Sequence, residues 1–248
     1  MQDIRILSGS VETEIENRTR FLKLLKESPV PDNELLSNLG LYLNRQTLSR
    51  IIFMHELYSK IINIHGIIME FGVRWGQNLS LFSSFRGIYE PYNYNRKIVG
   101  FDTFSGFPVI DDKDGKNVKV GDYSVTSGYE DYLEKVLLYH ESESPIGHKK
   151  KFDLVKGDAS KTIKEYLAAH PETIVAMAYF DFDIYKPTRD CLEAIKPHLS
   201  KGSLLAFDEL NYTPFPGETL AFNEVFGINN YTIRRSPVTP LCSYIIFE

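Results

Sequence analysis

The feature that most restricts the fold of this chain is a regular alternation of short β-rich runs with helical segments, which starts near residue 63. The β-rich runs lie at residues 67–71, 97–101, 152–156, 174–180 and 203–207. The fourth of them, Ile-Val-Ala-Met-Ala-Tyr-Phe, is typical of a strand that is buried on both faces of a parallel sheet. Because such alternation indicates βαβ units, the sequence predicts an α/β, Rossmann-like fold with a mostly parallel sheet.

Two further β-rich runs, at residues 231–235 and 242–247, follow a different rule. The linker between them contains Ser-Pro-Val-Thr-Pro and is too short for a helical crossover. We therefore predict that these two strands are antiparallel neighbours. They complete a predicted seven-stranded sheet whose last strand is antiparallel.

The rest of the chain divides into an extension and an insertion. Amphipathic helical patterns at residues 12–27 and 46–62 predict an N-terminal helical extension over residues 1–62, ahead of the α/β domain at 63–248. We expect the extension to cover the active site or to form a subunit interface, and the protein to be a homo-oligomer. An insertion at about 109–151, with a predicted helix at 130–141, interrupts the alternation. Insertions of this length are more often functional than idle, so we interpret it as a lid.

Composition excludes several classes of function. The net charge of −5 provides no basic field for a nucleic-acid backbone. No apolar run approaches the roughly 18–20 residues that are needed to span a bilayer, and the first residues lack the apolar core of a signal peptide. Cys191 and Cys242 are not spaced as a metal clip. We therefore expect a cytoplasmic protein with two buried, reduced thiols and no nucleic-acid or membrane partner.

Ligands of open parallel sheets bind outside the carboxyl ends of the strands, so the residues after each strand are informative. The first strand ends in Glu-Phe-Gly-Val-Arg-Trp-Gly, which places Glu70, Gly72 and Gly76 around a tight turn into a helix. This order differs from the G-x-G-x-x-G of dinucleotide-binding turns. A carboxylate beside the turn suits a cationic group better than a pyrophosphate. A glycine turn without a ligand is the alternative.

The next two strands also end in acids. Asp102 is where nucleoside-binding folds place the partner of a ribose diol, and Asp158 follows the third strand, where it can accept a hydrogen bond from an adenine amino group. Each acid alone is explained equally well as a solvated loop charge. Together with Glu70, they match a ligand with a diol, an amine and a cationic head, and S-adenosylmethionine is such a ligand.

A second set of acids follows the two most apolar strands. Asp181 and Asp183 come after the run 174–180, and Asp208 and Glu209 come after the run 203–207. Carboxylates crowded at one edge of a sheet repel one another, so they must take up protons or share a cation. A set of oxygen ligands favours Mg²⁺, Mn²⁺ or Ca²⁺ over zinc. Capping of the helices that follow is the alternative role for these acids.

Four motifs give the region from about residue 67 to residue 211 a family resemblance. They are MEFGVRWGQNLSLF, GFDTFSGFP, YFDFDIYKPTRDCLEAI and LLAFDEL. In this combination the chain resembles the macrocin O-methyltransferase family, class I methyltransferases that modify sugar hydroxyls of antibiotics and nucleotide-linked deoxysugars. The resemblance implies a transferase that moves a methyl group from S-adenosylmethionine to a sugar hydroxyl with the help of Mg²⁺ or Mn²⁺.

The resemblance also implies roles for individual residues. Asp181 is expected to bind the metal and to act as general base, with Asp208 and Glu209 as the other metal ligands. Glu209 stands where the family commonly has Asp. Asp183 is expected to point to the opposite face of the strand if the extended geometry continues. The residues expected to bind the cofactor are Glu70, Gly72, Gly76, Asp102, Thr103 and Asp158.

Other functions remain open at this point. A catechol or another phenol offers the same metal-chelating geometry as a sugar diol and is the nearest alternative acceptor. An NAD-dependent oxidoreductase fits the fold, but the missing G-x-G and the acids on several strand ends argue against it. A non-catalytic nucleoside-binding module does not explain the clustered acids.

Overall fold

The computed structural model of the chain describes residues 4–7 and 9–248. Its helices are α1 (Glu12–Lys26), α2 (Asp32–Leu35), α3 (Arg45–Ile61), α4 (Gln77–Tyr89), α5 (Tyr129–Ser142), α6 (Ala159–Ala169), α7 (Tyr185–Ile195) and α8 (Gly217–Phe226). Its strands are β1 (Ile67–Phe71), β2 (Ile98–Asp102), β3 (Phe152–Lys156), β4 (Val175–Phe180), β5 (Leu199–Phe207), β6 (Arg234–Arg235) and β7 (Ser243–Ile246).

All seven strands form one sheet in the order β3-β2-β1-β4-β5-β7-β6. The first five strands are parallel, and β7 runs antiparallel to both of its neighbours. The predicted fold class and the predicted antiparallel pair at the end of the chain are therefore confirmed. The chain reverses its direction of travel across the sheet between β1 and β4, and a ligand crevice is expected at such a switch point.

The sheet is buried on both faces, as the apolar run 174–180 predicts. All residues of β4 are buried, with Met177 and Tyr179 in the apolar cluster on one face and Ala178 and Phe180 in the cluster on the other. On the second face, aromatic rings of neighbouring strands stack across the sheet. Phe180 lies 4.8 Å from the ring of Phe71 and 5.2 Å from that of Phe207. This continuous apolar layer fixes the strand ends relative to one another.

The N-terminal extension has two parts with different packing. Helix α1 has no buried residue. Helix α3, which begins at an N-cap where Asn44 accepts a hydrogen bond from the Thr47 amide at 2.9 Å, packs an apolar face on the sheet. Phe53 and Leu57 of this face belong to the main apolar cluster. Helix α3 is therefore part of the core of the α/β domain, whereas α1 lies on its surface.

The insertion at 109–151 is attached to the rest of the chain at both of its ends. Helix α5 buries Leu133 and Leu137, and its buried Glu141 contacts Arg86 of α4 at 2.6 Å and Lys151 at 2.5 Å. The loop that precedes α5 is joined to the N-terminal segment, because Arg5 binds Asp122 at 2.9 Å. The predicted helix of the insertion is thus confirmed.

Both cysteines are buried and free, as expected. Within residues 4–7 and 9–248, the structure contains no helix that combines the length and the apolarity of a membrane span.

Candidate active site

A cleft of about 310 Å³ opens at the carboxyl ends of the parallel strands. Loops after β1 to β5, helix α3 and the insertion all contribute to its walls. The residues predicted from the sequence that line it are Gly72, Asp102, Thr103, Asp181, Asp208 and Glu209. Glu70, Gly76 and Asp158 lie outside these walls. The strand ends thus meet at one site, as the parallel sheet requires.

The glycine turn after β1 packs directly against the loop that carries the first acid of the second set. Gly72 has a φ of +95°, and a Cβ atom at this position would lie 2.0 Å from the carbonyl oxygen of Asp181. The amide of Asp181 in turn donates to the carbonyl of Phe71 at 2.8 Å. Only glycine permits both the conformation and this close approach. The turn and the acid therefore have a fixed spacing.

Glu70 is buried beneath this turn. One carboxylate oxygen, Oε1, accepts a hydrogen bond from the side-chain amide of Asn78 at 2.9 Å. The other, Oε2, is buried without a partner in the described part of the chain. Burial raises the pKa of Glu70 well above its usual value. An unsatisfied buried carboxylate oxygen is costly, so a ligand that donates a hydrogen bond or a positive charge here would be stabilised.

The loop after β2 is organised by Asp102. Its carboxylate accepts hydrogen bonds from the amides of Arg74 at 2.7 Å and Phe104 at 2.5 Å. The hydroxyl of Thr103 donates to the carbonyl of Gly106 at 2.7 Å and so shapes the same loop. Asp102 therefore joins the turns after β1 and β2 while it lines the cleft. Its contact with a ribose diol stays a prediction.

Asp158 has a structural role at the start of a helix. It is the N-cap of α6, where its side chain accepts a hydrogen bond from the amide of Ser160 at 3.1 Å. The backbone on both sides of it, at Gly157 and Ala159, lines the cleft. A contact of Asp158 with adenine also stays a prediction.

The acids after β4 and β5 are joined by an arginine that the sequence reading did not identify. Arg50 of α3 donates from Nη2 to Asp181 Oδ2 at 2.5 Å and from Nη1 to Asp208 Oδ1 at 3.3 Å. The hydroxyl of Tyr179 also donates to Asp208, at 2.7 Å. A signal for Arg50 exists in the sequence, because it lies four residues before Met54 on the apolar face of α3. A charge on an apolar face needs a buried partner.

The acids of this edge are crowded enough to change their protonation. Burial and the neighbouring Asp208 raise the pKa of Asp181 to about 7. Burial, followed by Asp208 and Asp181, raises the pKa of Glu209 to about 8. Such shifts mark a site where negative charge is in excess and where a cation or a proton is favoured.

Asp183 belongs to the same cluster, and the expectation that it points away from the other acids is wrong. The reason is its backbone, because a φ of +63° breaks the extended geometry that would alternate the side chains. Asp183 is buried and lines the cleft. Burial and the charges of Asp181 and Glu209 raise its pKa well above the usual value.

The donor set agrees chemically with the divalent ion that the resemblance implies. Asp181, Asp208 and Glu209 offer only oxygen ligands, and Glu209 Oε2 is buried without a partner among the described residues. Across residues 4–7 and 9–248, however, no three His, Cys, Asp or Glu side chains are arranged as a ready-made metal site. In this arrangement the guanidinium of Arg50 contacts two of the three carboxylates.

A second residue missed by the sequence reading is Glu218 of α8. Its fully buried carboxylate accepts hydrogen bonds from the amides of Phe182 at 3.1 Å, Asp183 at 3.4 Å and Glu209 at 3.4 Å. Glu218 therefore connects the loop after β4 to the loop after β5. The only sequence signal is an acid in the first turn of the helix, next to an apolar stretch.

The insertion contributes one wall of the cleft. Tyr123 and Arg74 both line it, and the Arg74 guanidinium lies 5.2 Å from the centre of the Tyr123 ring. Asp114 of the insertion accepts a hydrogen bond from the amide of Tyr185 at 2.6 Å, at the first residue of α7. The insertion thus contacts the loop after β4 as well as the turn after β1.

Comparison with solved structures gives two close matches. The calicheamicin methyltransferase CalS11 is 43% identical, with a TM-score of 0.93 over 100% of this chain and 97% of that chain. An apo structure of CalS11, described as a TDP-rhamnose 3'-O-methyltransferase of calicheamicin biosynthesis, is 41% identical, with a TM-score of 0.87 over 99% of both chains.

A more distant match shares the fold. The O-methyltransferase NovP is 17% identical, with a TM-score of 0.56 over 80% of this chain and 79% of that chain. No protein-family model matches the chain, and no curated protein matches it.

Proposed function

We propose that this chain, which belongs to the sugar O-methyltransferases that use S-adenosylmethionine, methylates a hydroxyl of a nucleotide-linked deoxysugar. The full-length similarity to CalS11, which acts on TDP-rhamnose, supports this choice of acceptor. The family membership also removes the NAD-dependent oxidoreductase from the alternatives. Within the family, a sugar is preferred over a phenol because CalS11, which matches this chain over its full length, is described as a TDP-rhamnose 3'-O-methyltransferase.

One observation carries the proposal. The glycine turn expected to hold the cofactor and the acid expected to take the proton are in backbone contact, through Gly72, Phe71 and Asp181. Both open into the same cleft. A methyl donor at the turn and a hydroxyl at the acid are therefore neighbours, and holding the two reactants in line supplies much of the rate enhancement.

The chemistry is a displacement at the sulfonium methyl group. The bond from carbon to the acceptor oxygen forms as the bond from carbon to sulfur breaks, which leaves S-adenosylhomocysteine. The hydroxyl proton passes to the carboxylate of Asp181, which acts as the general base. General-base help of this kind contributes typically about 10²- to 10⁴-fold.

A divalent ion is the second part of the proposal. Asp181, Asp208 and Glu209 would hold Mg²⁺ or Mn²⁺ through carboxylate oxygens. When bound, the ion would supply stabilisation of the negative charge that develops on the acceptor oxygen.

The decisive experiment supplies purified protein with S-adenosylmethionine, Mg²⁺ and a panel of nucleotide-linked deoxysugars and simple catechols. We expect mass spectrometry to show the gain of one methyl group on a sugar. Chelation should stop the reaction, and added Mg²⁺ should restore it. Methylation of catechols alone would contradict the sugar acceptor, and full activity in chelator would contradict the metal.

Asp181→Asn tests the role of the base. The substitution keeps the size of the side chain but removes the charge that accepts the proton, so we expect methyl transfer to fall by at least about 10²-fold. Binding of S-adenosylhomocysteine, measured as a rise in melting temperature, should persist, since ligand binding stabilises the native state. Asp153→Asn, on β3 outside the cleft, is the matched control. Wild-type turnover of the Asp181 variant would remove this residue from the mechanism.

A further inference from the structure

We infer that Arg50 is a positioning residue that takes the place of the divalent ion in the metal site. Its guanidinium holds Asp181 and Asp208 while no ion is bound and releases them when one binds. This inference rests on the metal ion of the proposed function. Helix α3 of the N-terminal extension would then contribute a functional residue to the active site.

The geometry of the guanidinium is that of a bridge. Its two terminal nitrogens contact acids that follow different strands, at 2.5 Å for Asp181 and 3.3 Å for Asp208. The Arg50 side chain is only 29% exposed, so salt and solvent weaken these ion pairs less than those of a surface pair. Arginine suits such a position because its planar fork binds two oxygens at once.

Arg50 also has contacts besides those with the two acids. Its Nε lies 3.4 Å from Asn78 Oδ1, and Asn78 donates to the buried Glu70. Its Nη2 lies 3.3 Å from the hydroxyl of Tyr179. These contacts connect the cofactor turn to the acids through one side chain. Arg50 therefore has a defined position rather than the mobility of a surface arginine.

The bridge and a divalent ion require the same atoms. Arg50 engages Asp181 Oδ2 and both oxygens of Asp208. It leaves Glu209 Oε2 buried and without a partner in the described residues. A small cation with six or more oxygen ligands can use all three carboxylates, whereas the guanidinium reaches two. Because two cations repel each other at such short range, ion binding and the bridge are alternatives.

The consequence is that the bridge weakens the apparent affinity of the site for a divalent ion. The apparent affinity of a ligand is reduced by the fraction of protein in the competent state, and here the competent state is the one without the bridge. Loss of the bridge should therefore tighten metal binding and, without metal, leave the acids unbalanced.

The test measures Mn²⁺ binding directly, from the loss of the EPR signal of free Mn²⁺, without cofactor or acceptor. We expect Arg50→Gln to lower the apparent Kd about tenfold. Arg50→Lys keeps the charge but can reach only one carboxylate, so an intermediate Kd is expected. Arg45→Gln removes the same charge from an exposed position on the same helix and should stay near wild type.

Melting temperatures provide the second measurement. In chelator, Arg50→Gln should melt about 4 °C below wild type, and saturating Mn²⁺ should close this gap. Unchanged or weaker Mn²⁺ binding by Arg50→Gln, or a gap that persists in Mn²⁺, would overturn the inference. If the wild type transfers methyl groups to a sugar but binds no Mn²⁺, the inference about Arg50 is wrong, whereas the proposed sugar methyltransferase activity is supported. If Arg50→Gln binds Mn²⁺ more tightly but the wild type methylates no sugar, the inference about Arg50 is supported and only the proposed acceptor is wrong.

Discussion

Glu218 contacts two loops at once, which makes it the residue on which the geometry of the acid cluster depends. It is fully buried, and burial together with the charges of Asp181 and Asp208 raises its pKa well above the usual value. A carboxyl group in the neutral form still accepts hydrogen bonds from backbone amides. The cluster can therefore contain this additional acid without a full additional charge.

Glu218→Ala should leave the amides of Phe182, Asp183 and Glu209 without an acceptor. We expect the free energy of unfolding to fall by about 1–3 kcal/mol, and kcat to fall more than KM rises because the loops that carry the reacting groups lose their anchor. Glu218→Gln should recover most of the stability, since an amide resembles a neutral carboxyl group. Urea denaturation and steady-state kinetics measure both effects.

Glu224→Ala is the matched control for this experiment. Glu224 lies on the same helix, is exposed, and contacts Lys113 and the Tyr185 hydroxyl at the surface. Its removal should lower the free energy of unfolding much less than Glu218→Ala does, because ion pairs of exposed side chains contribute little. A Glu218→Ala variant with the kcat of wild type would show that the loops hold their positions without this residue.

At the scale of elements, the insertion consists of an anchored helix and a surface loop. Helix α5 is joined to α4 and to the start of β3 by a buried cluster of Arg86, Glu141 and Lys151. The loop at 109–128 is instead tied by contacts with several separate elements, among them the Arg5–Asp122 and Lys113–Glu224 ion pairs and the Asp114 contact with α7. A lid that moves should therefore move in the loop and not in the helix.

Limited trypsin digestion should separate these two parts. We expect cuts after Lys113, Lys116 and Lys119, which are exposed in the loop, and none after Lys135, which is exposed on α5. S-adenosylhomocysteine with a deoxysugar nucleotide should slow the cuts in the loop. Peptide masses identify each cut.

Glu141→Gln gives the contrasting case. Breaking a buried ion pair by removing one partner typically costs about 3–5 kcal/mol, so α5 should loosen and Lys135 should become a site of cleavage. Equal resistance of the loop with and without ligands would show that the insertion is a fixed arm.

At the scale of the molecule, helix α1 is held only loosely to the described part of the chain, where Arg18 donates to Gln46 at 3.1 Å and the Phe21 ring lies 6.4 Å from that of Tyr42. It has no buried residue, and Ile15, Leu22 and Leu24 are 52%, 49% and 62% exposed. An isolated helix of fewer than about 12–15 residues is marginal in water, so a helix near this length gains most from packing against another surface. This favours the expected homo-oligomer, with α1 at the interface.

Leu22→Glu combined with Leu24→Glu should weaken this association. Two charges on a buried apolar contact are costly, so we expect a lower mass in light scattering after gel filtration and an unchanged far-ultraviolet spectrum. Ile88→Glu, at the exposed end of α4, is the control for an apolar surface residue elsewhere. A wild-type protein that is monomeric at micromolar concentration would contradict the expected oligomer.

Local sequence determined the elements of this protein and the acids at their ends. The period of apolar residues predicted β1 to β5, and the short linker after residue 235 predicted the antiparallel pair at the end of the chain. Because parallel strands end at one edge of a sheet, the placement of Asp102, Asp181, Asp208 and Glu209 in one cleft followed from the same pattern.

Tertiary structure alone decided how these acids are compensated. Arg50 reaches Asp181 across 131 positions of sequence, and Glu218 reaches Phe182 across 36. The left-handed backbone of Asp183, with a φ of +63°, turned a side chain expected on the far face into a member of the cluster. The physical reason is that periodicity and strand ends depend on neighbouring residues, whereas the partner of a buried charge is set by packing between distant elements, which no local spacing encodes.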